Sequence, residues 1–150
     1  MIFSALLWTA LMHLFLKYKK MVQGVNVFLS IISILIILYM TVISRSESRT
    51  EVILLPFHSF LEAQTQPELY RSMLMNVFLF VPFGLTLPYS LPNRCRHKWM
   101  TTILSAMLFS IIIETSQFCF QLGRCEVDDV IMNTLGAAIG SWGYGLTIRK

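Results

Sequence analysis

Residues 99–122, WMTTILSAMLFSIIIETSQFCFQL, decide how this chain folds. A helix crossing a hydrocarbon core needs about 20 apolar residues, and this stretch supplies them. Within it sits one carboxylate, Glu114, with Gln117 three residues on and about 60° round the same helical face. A charge at such depth is costly and normally turns toward the protein interior or a wet cavity.

The flanking sequence has the same character. Residues 24–43, 73–91 and 127–146 are each long and apolar enough to cross, and the shorter 2–16, which contains His13, reads either as a fifth crossing or as a segment lying flat that leaves the direction of the other four unchanged. With 55% hydrophobic and 13% charged residues in 150, the composition excludes a water-soluble domain of this size. The expected fold is an all-α integral membrane protein: one domain, 1–150, of about five transmembrane helices with short loops. One longer loop, 44–72, is expected at the outer face. No basic region or small-residue cleavage site precedes Lys17, so a cleaved leader is not expected.

Charge sets the expected direction. Lys17, Lys19 and Lys20 follow the first stretch; Arg94, Arg96 and Lys98 separate the third and fourth; Arg149 and Lys150 end the chain. Alternating five crossings puts these eight of the twelve basic residues on one side, which the positive-inside rule makes cytoplasmic. The N-terminus is then outside and the C-terminus inside. Every acidic residue falls on or toward the outer side, and Trp99, Trp142, Tyr144, Tyr39 and Tyr70 mark the interfaces. A net charge of +4 gathered at span ends fits orientation in a membrane better than nucleic-acid binding.

Polar residues converge at the outer end. Glu114 lies eight residues, about 12 Å, below the end of its span. Asn76 falls in the first turns of the third stretch, Asp128 and Asp129 open the last, Asn133 follows one turn below Asp129, and Arg124 occupies the short turn between. A shared pocket of Asn76, Glu114, Gln117, Arg124, Asp129 and Asn133 is the economical reading. Blander roles stand beside it. Asp128 reads as an N-cap of its own helix. Asp129 either pairs with Arg124 or points inward, and the two asparagines serve as interhelical hydrogen bonds or as ligand contacts. In Leu54-Leu55-Pro56-Phe57-His58-Ser59-Phe60-Leu61 the loop is too apolar to be solvated; it either dips into the interface or lies across the bundle's mouth.

Phe80-Val81-Pro82-Phe83-Gly84 is expected to interrupt and kink the third stretch. Gly136-Ala137-Ala138-Ile139-Gly140 forms a small-xxx-small face, better suited to packing within the bundle than to a homo-oligomer. Cys95, Cys119, Cys125, His13, His58 and His97 have no metal-site spacing, and no nucleotide loop or hydrolase motif is present, so neither metal nor cofactor is expected. Cys119 and Cys125 are close enough in sequence to pair, though a helical cysteine more often only packs.

Taken in order, Leu55-Pro56-Phe57, Asn76, Phe80-Val81-Pro82-Phe83-Gly84, Glu114-Thr115-Ser116-Gln117, Arg124, Asp128-Asp129 and Asn133-Thr134-Leu135-Gly136 with Gly140 resemble the VanZ-like family. The resemblance covers residues 45–145, leaving 1–44 as two flanking spans. It departs where relatives carry an arginine before an Asn-Leu-x-Pro-Phe segment: here Arg49 is followed by Ile53-Leu54-Leu55-Pro56. The resemblance implies a multi-pass cell-membrane protein associated with lowered susceptibility to glycopeptide antibiotics such as teicoplanin. The leading expectation is a non-enzymatic binder of membrane lipids, a lipid-linked cell-wall precursor or a glycopeptide, with Arg124 facing an anionic group. Two alternatives accompany it. One is an enzyme acting on a lipid-linked headgroup with Glu114 or Asp129 as acid or base, the other a proton-linked carrier using Glu114.

Overall fold

A computed structural model of the chain describes the backbone of residues 2–44 and 51–148, and the side chains of 18–44 and 51–146. Arg45, Glu47, Arg49, Arg149, Lys150 and the side chains of His13 and Lys17 lie outside the described residues. Helix α1 spans Ile2–Leu38 and runs on as a π-helical turn, Tyr39–Ile43. A two-residue strand β1 (Val52–Ile53) and a short helix α2 (His58–Glu62) lead to α3 (Glu68–Ser90), α4 (Lys98–Cys119), a strand β2 (Cys125–Glu126) and α5 (Val127–Ile148). Among the described residues, three helical segments, Tyr18–Ile43, Glu68–Ser90 and Lys98–Cys119, are long and apolar enough to cross a membrane.

The first two expected crossings are one helix. Nothing between Leu16 and Gly24 stops it: Lys17 to Gln23 is free of proline and rich in good helix formers, and one glycine costs a helix only about 1 kcal/mol. Among the described residues, four long helices stand where five antiparallel crossings were expected. An outside N-terminus followed from a reversal that this helix does not make.

Helices α1 and α3 are antiparallel. Gln23 Nε2 donates to the Ser90 carbonyl (3.2 Å), and Ser30 Oγ donates to Thr86 Oγ1 (2.9 Å) and lies 3.1 Å from Ser90 Oγ. Helices α3 and α5 are parallel and in backbone contact. A Cβ built on Gly136 would overlap the Val77 carbonyl, one on Gly140 the Val81 carbonyl, and one on Gly84 the Ala137 carbonyl. The small-residue face is therefore spent inside the bundle, as in other close helix pairs where lipid offers no hydrophobic drive. Burial along α5 falls on Asp128, Asp129, Met132, Asn133, Gly136, Ala137, Gly140 and Ser141, a stripe that serves both α3 and α4.

Helix α3 does not break at Phe80–Gly84. It continues through Pro82 and Pro88, whose missing N–H groups leave the Phe78 and Gly84 carbonyls without their usual donors, as membrane helices tolerate. The core is apolar: Ile37, Phe80, Phe83, Ala106, Ile113 and Ala137, with Phe109 completing an aromatic triangle at 6.0–6.2 Å. This arrangement gives the bundle a basic end, at Lys19, Lys20, Arg94, Arg96 and Lys98, and an acidic end, at the start of α3 and α5.

Two glycines test this architecture. Gly136→Val should destabilise the bundle by on the order of 3 kcal/mol through overpacking, lowering Tm in detergent. Gly24→Ala meets nothing within 4 Å and should raise stability by up to about 1 kcal/mol, since the residue lies inside a helix. Destabilisation by Gly24→Ala would indicate a turn there.

Candidate functional site at the acidic end

Helix α4 presents Ser110, Glu114 and Gln117 on one buried face, because residues spaced by four and three recur on the same side. Glu114, only 4% exposed, accepts a hydrogen bond through Oε2 from the Glu126 backbone N–H (3.1 Å). Gln117 Nε2 donates to the Thr41 carbonyl (2.9 Å), on the π-helical turn that ends α1. Ser110 Oγ accepts from Asn133 Nδ2 (2.8 Å) on α5. The buried acid thus faces protein, not acyl chains.

Above this layer, the chain from Glu51 to Glu62 is tied across the start of α5. The Cys125 N–H donates to the Glu51 carbonyl (2.8 Å), and β1 pairs in parallel with β2. Helix α2 has Phe57 at its N-cap, with a left-handed φ of 64° and no side chain able to cap. Asp128 fills that role from 69 to 71 residues away: its Oδ1 accepts from the Phe57 N–H (2.6 Å) and its Oδ2 from the Ser59 N–H (2.8 Å). Asp128 was expected to cap its own helix. Lying within the first turn of α5, it caps α2 instead, where an anion at a helix N-terminus is equally favoured.

Arg124 is doubly paired. Its Nη1 lies 3.1 Å from Glu62 Oε2 and its Nε 3.2 Å from Glu126 Oε1. Ser59 Oγ donates to the other Glu126 oxygen (2.8 Å), so one chain of contacts links α2, the α4–α5 turn and Glu114. Burial pulls the Arg124 pKa down, but Glu126 and Glu62 outweigh it and hold the guanidinium above its ordinary value, firmly charged. The Cys125 thiol is pushed above the usual range by burial and then by Glu114, Asp129 and Glu126. Cys119 and Cys125 are both free thiols.

The structure gathers Glu114, Gln117, Asp129 and Asn133 as buried residues at this end, with Arg124 half-buried above them. Asn76, on α3, is part-exposed at the α3–α5 contact. Its Nδ2 is buried without a hydrogen-bond partner, as is Asn133 Oδ1. Sequence reasoning missed Ser110, Thr41, Ser59, Glu62 and Glu126. A signal existed for Ser110, four residues before Glu114 and seven before Gln117. None existed for the Thr41 carbonyl, whose role depends on a π-helical turn.

These features define a small helical membrane protein with a strapped, acid-rich polar network at one end. A model of the VanZ/LLP1 family matches residues 26–148, and the chain belongs to that family. Protein VanZ of Enterococcus faecium is 35% identical over 78 residues, which make up 52% of this chain and 47% of that protein. The chain therefore spans about half the length of the curated relative it matches. No solved structure matches it.

Two substitutions report on this geometry. Asp128→Asn should expose the N–H groups of Phe57 and Ser59 to hydrogen exchange at least about tenfold faster, since hydrogen bonds to a charged group are worth roughly 1.5–3 kcal/mol. Alkylation of Cys125 should rise with pH only above the range of an ordinary thiol. Glu126→Gln, by removing a negative neighbour, should shift that profile to lower pH.

Proposed function

We propose that this chain is a multi-pass protein of the cell membrane whose acidic end faces outward and engages an amphipathic envelope molecule, lowering glycopeptide susceptibility. The positive-inside rule supports the orientation, with Arg94, Arg96 and Lys98 on the cytoplasmic turn. One observation carries the binding role. A buried polar network containing Glu114, Asp129 and Asn133 lies beneath a strap whose apolar side chains Leu54, Leu55, Phe57 and Leu61 are turned outward. A molecule with a polar head and an acyl or aromatic body matches both surfaces. Candidate molecules are a membrane lipid, a lipid-linked cell-wall precursor or a glycopeptide.

The electrostatics refine what the head should be. Arg124 is already matched by Glu62 and Glu126, so an anionic group would have to displace a carboxylate. Asp128 lies close by as well, so the part of the molecule that meets this network is better a neutral or cationic hydrogen-bonding group than a phosphate. Asn133 Oδ1 and Asn76 Nδ2 are a buried acceptor and a buried donor left unmatched at this end.

The test is expression in a susceptible host with the inhibitory concentration of a glycopeptide as the readout. The parent chain should raise that concentration. Glu114→Gln and Arg124→Ala, at equal membrane levels, should remove most of the gain and weaken binding of a labelled lipid precursor. Unchanged susceptibility and unchanged lipid binding in both folded variants would overturn the proposal.

A further inference from the structure

At the opposite, basic end, helices α4 and α5 leave an open groove of about 330 Å³ between them. Its walls are Trp99 and Ile103 on α4 and Ala138, Ser141, Trp142, Gly145 and Leu146 on α5. The volume lies at the lower end of the range of small-molecule sites, about 300–1,000 Å³. Gly145 opens the groove: a Cβ built there meets nothing within 4 Å. The two tryptophans remain largely uncovered, Trp99 at 49% and Trp142 at 69% exposure. Tryptophan favours the level of the lipid headgroups, with its ring against the first methylenes.

The groove's mostly apolar walls sit beside a concentrated positive charge. Arg94 and Arg96, both exposed, lie on the α3–α4 turn, and Lys98 opens α4 immediately before Trp99. Lys98 Nζ donates to the Leu91 carbonyl (2.8 Å), which fixes this turn close to the start of α4. Among the described residues, every carboxylate belongs to the acidic end, so nothing negative offsets the charge here. We infer that this groove holds an anionic phospholipid of the cytoplasmic leaflet, its phosphate at Arg94 and Arg96 and the upper part of an acyl chain between Trp99 and Trp142. Basic pockets between membrane helices suit such headgroups because phosphate and guanidinium pair at the interface. The site is separate from the network around Glu114 and does not depend on that network's function.

The experiment uses the full chain reconstituted in nanodiscs of mixed phosphatidylglycerol and phosphatidylcholine, extracted and weighed by native mass spectrometry. One phosphatidylglycerol should stay bound in preference to phosphatidylcholine. Arg94→Gln and Arg96→Gln should each lower its retention about fivefold without moving Tm, because both side chains are exposed. Gly145→Leu should fill the groove and abolish retention, leaving glycopeptide susceptibility as in the parent. Equal retention of the two lipids by the parent chain, or retention unaffected by Gly145→Leu, would overturn the site.

Discussion

The contact of α3 with α5 along Gly84, Gly136 and Gly140 is the constraint on which the other positions depend. Two parallel neighbours need a connection that crosses back through the full height of the bundle, and α4 is that connection. Side by side and pointing the same way, α3 and α5 bring their N-terminal turns to one end, with Asn76 and Asn133 at similar depth. A single methyl on this seam would separate the backbones. It would also move Asn133 away from Ser110 and Asp128 away from the strap. Glycine here acts on the site through register, not through chemistry.

The acidic end is unusual in how its charges are used. Four carboxylates serve as acceptors that build structure: Asp128 for the N-terminus of α2, Glu126 for Ser59 and Arg124, Glu62 for Arg124, and Glu114 for the Glu126 backbone. Each interaction reaches from a helix end to the strap or its neighbouring turn. Because the strap's backbone is held by acids beneath it, its apolar side chains are left to point away. The polarity is the inverse of a soluble loop: polar groups inward, Leu54, Leu55, Phe57 and Leu61 outward. Such a surface suits the membrane interface, where apolar side chains gain by leaving water.

Much of this was legible in the sequence. Helices α3, α4 and α5 lie within a few residues of the apolar stretches, since charges, Pro67 and Pro92 bound them plainly. The burial of Glu114 and Gln117 followed from the cost of leaving them in lipid. The inward use of Gly136 and Gly140 followed from their spacing. Other features depended on tertiary partners. Lys17, Lys19 and Lys20 read as a boundary, but charge does not terminate a helix, and α1 continued through them. Asp128 obeyed the preference of an acid for a helix N-terminus, but the helix it chose is about 70 residues away. Local pattern supplies the preference and only the fold supplies the address.

The two ends also divide the polar work in different ways. At the acidic end Glu114, Asp128 and Asp129 are buried beneath the part-buried Glu62, Arg124 and Glu126, so a ligand meets a formed network whose unmatched buried atoms are Asn76 Nδ2, Asn133 Oδ1 and His58 Nδ1. At the basic end the charges are exposed and the concavity is apolar, so a ligand meets field and shape instead. Exposed arginines are screened by salt within about 10 Å at 0.1 M, whereas a buried carboxylate network is screened much less. Any recognition at the acidic end should therefore be nearly indifferent to ionic strength and sensitive to hydrogen-bonding geometry. Recognition at the basic end should weaken as salt rises. That contrast follows from burial alone, and it separates the two surfaces whatever molecules occupy them.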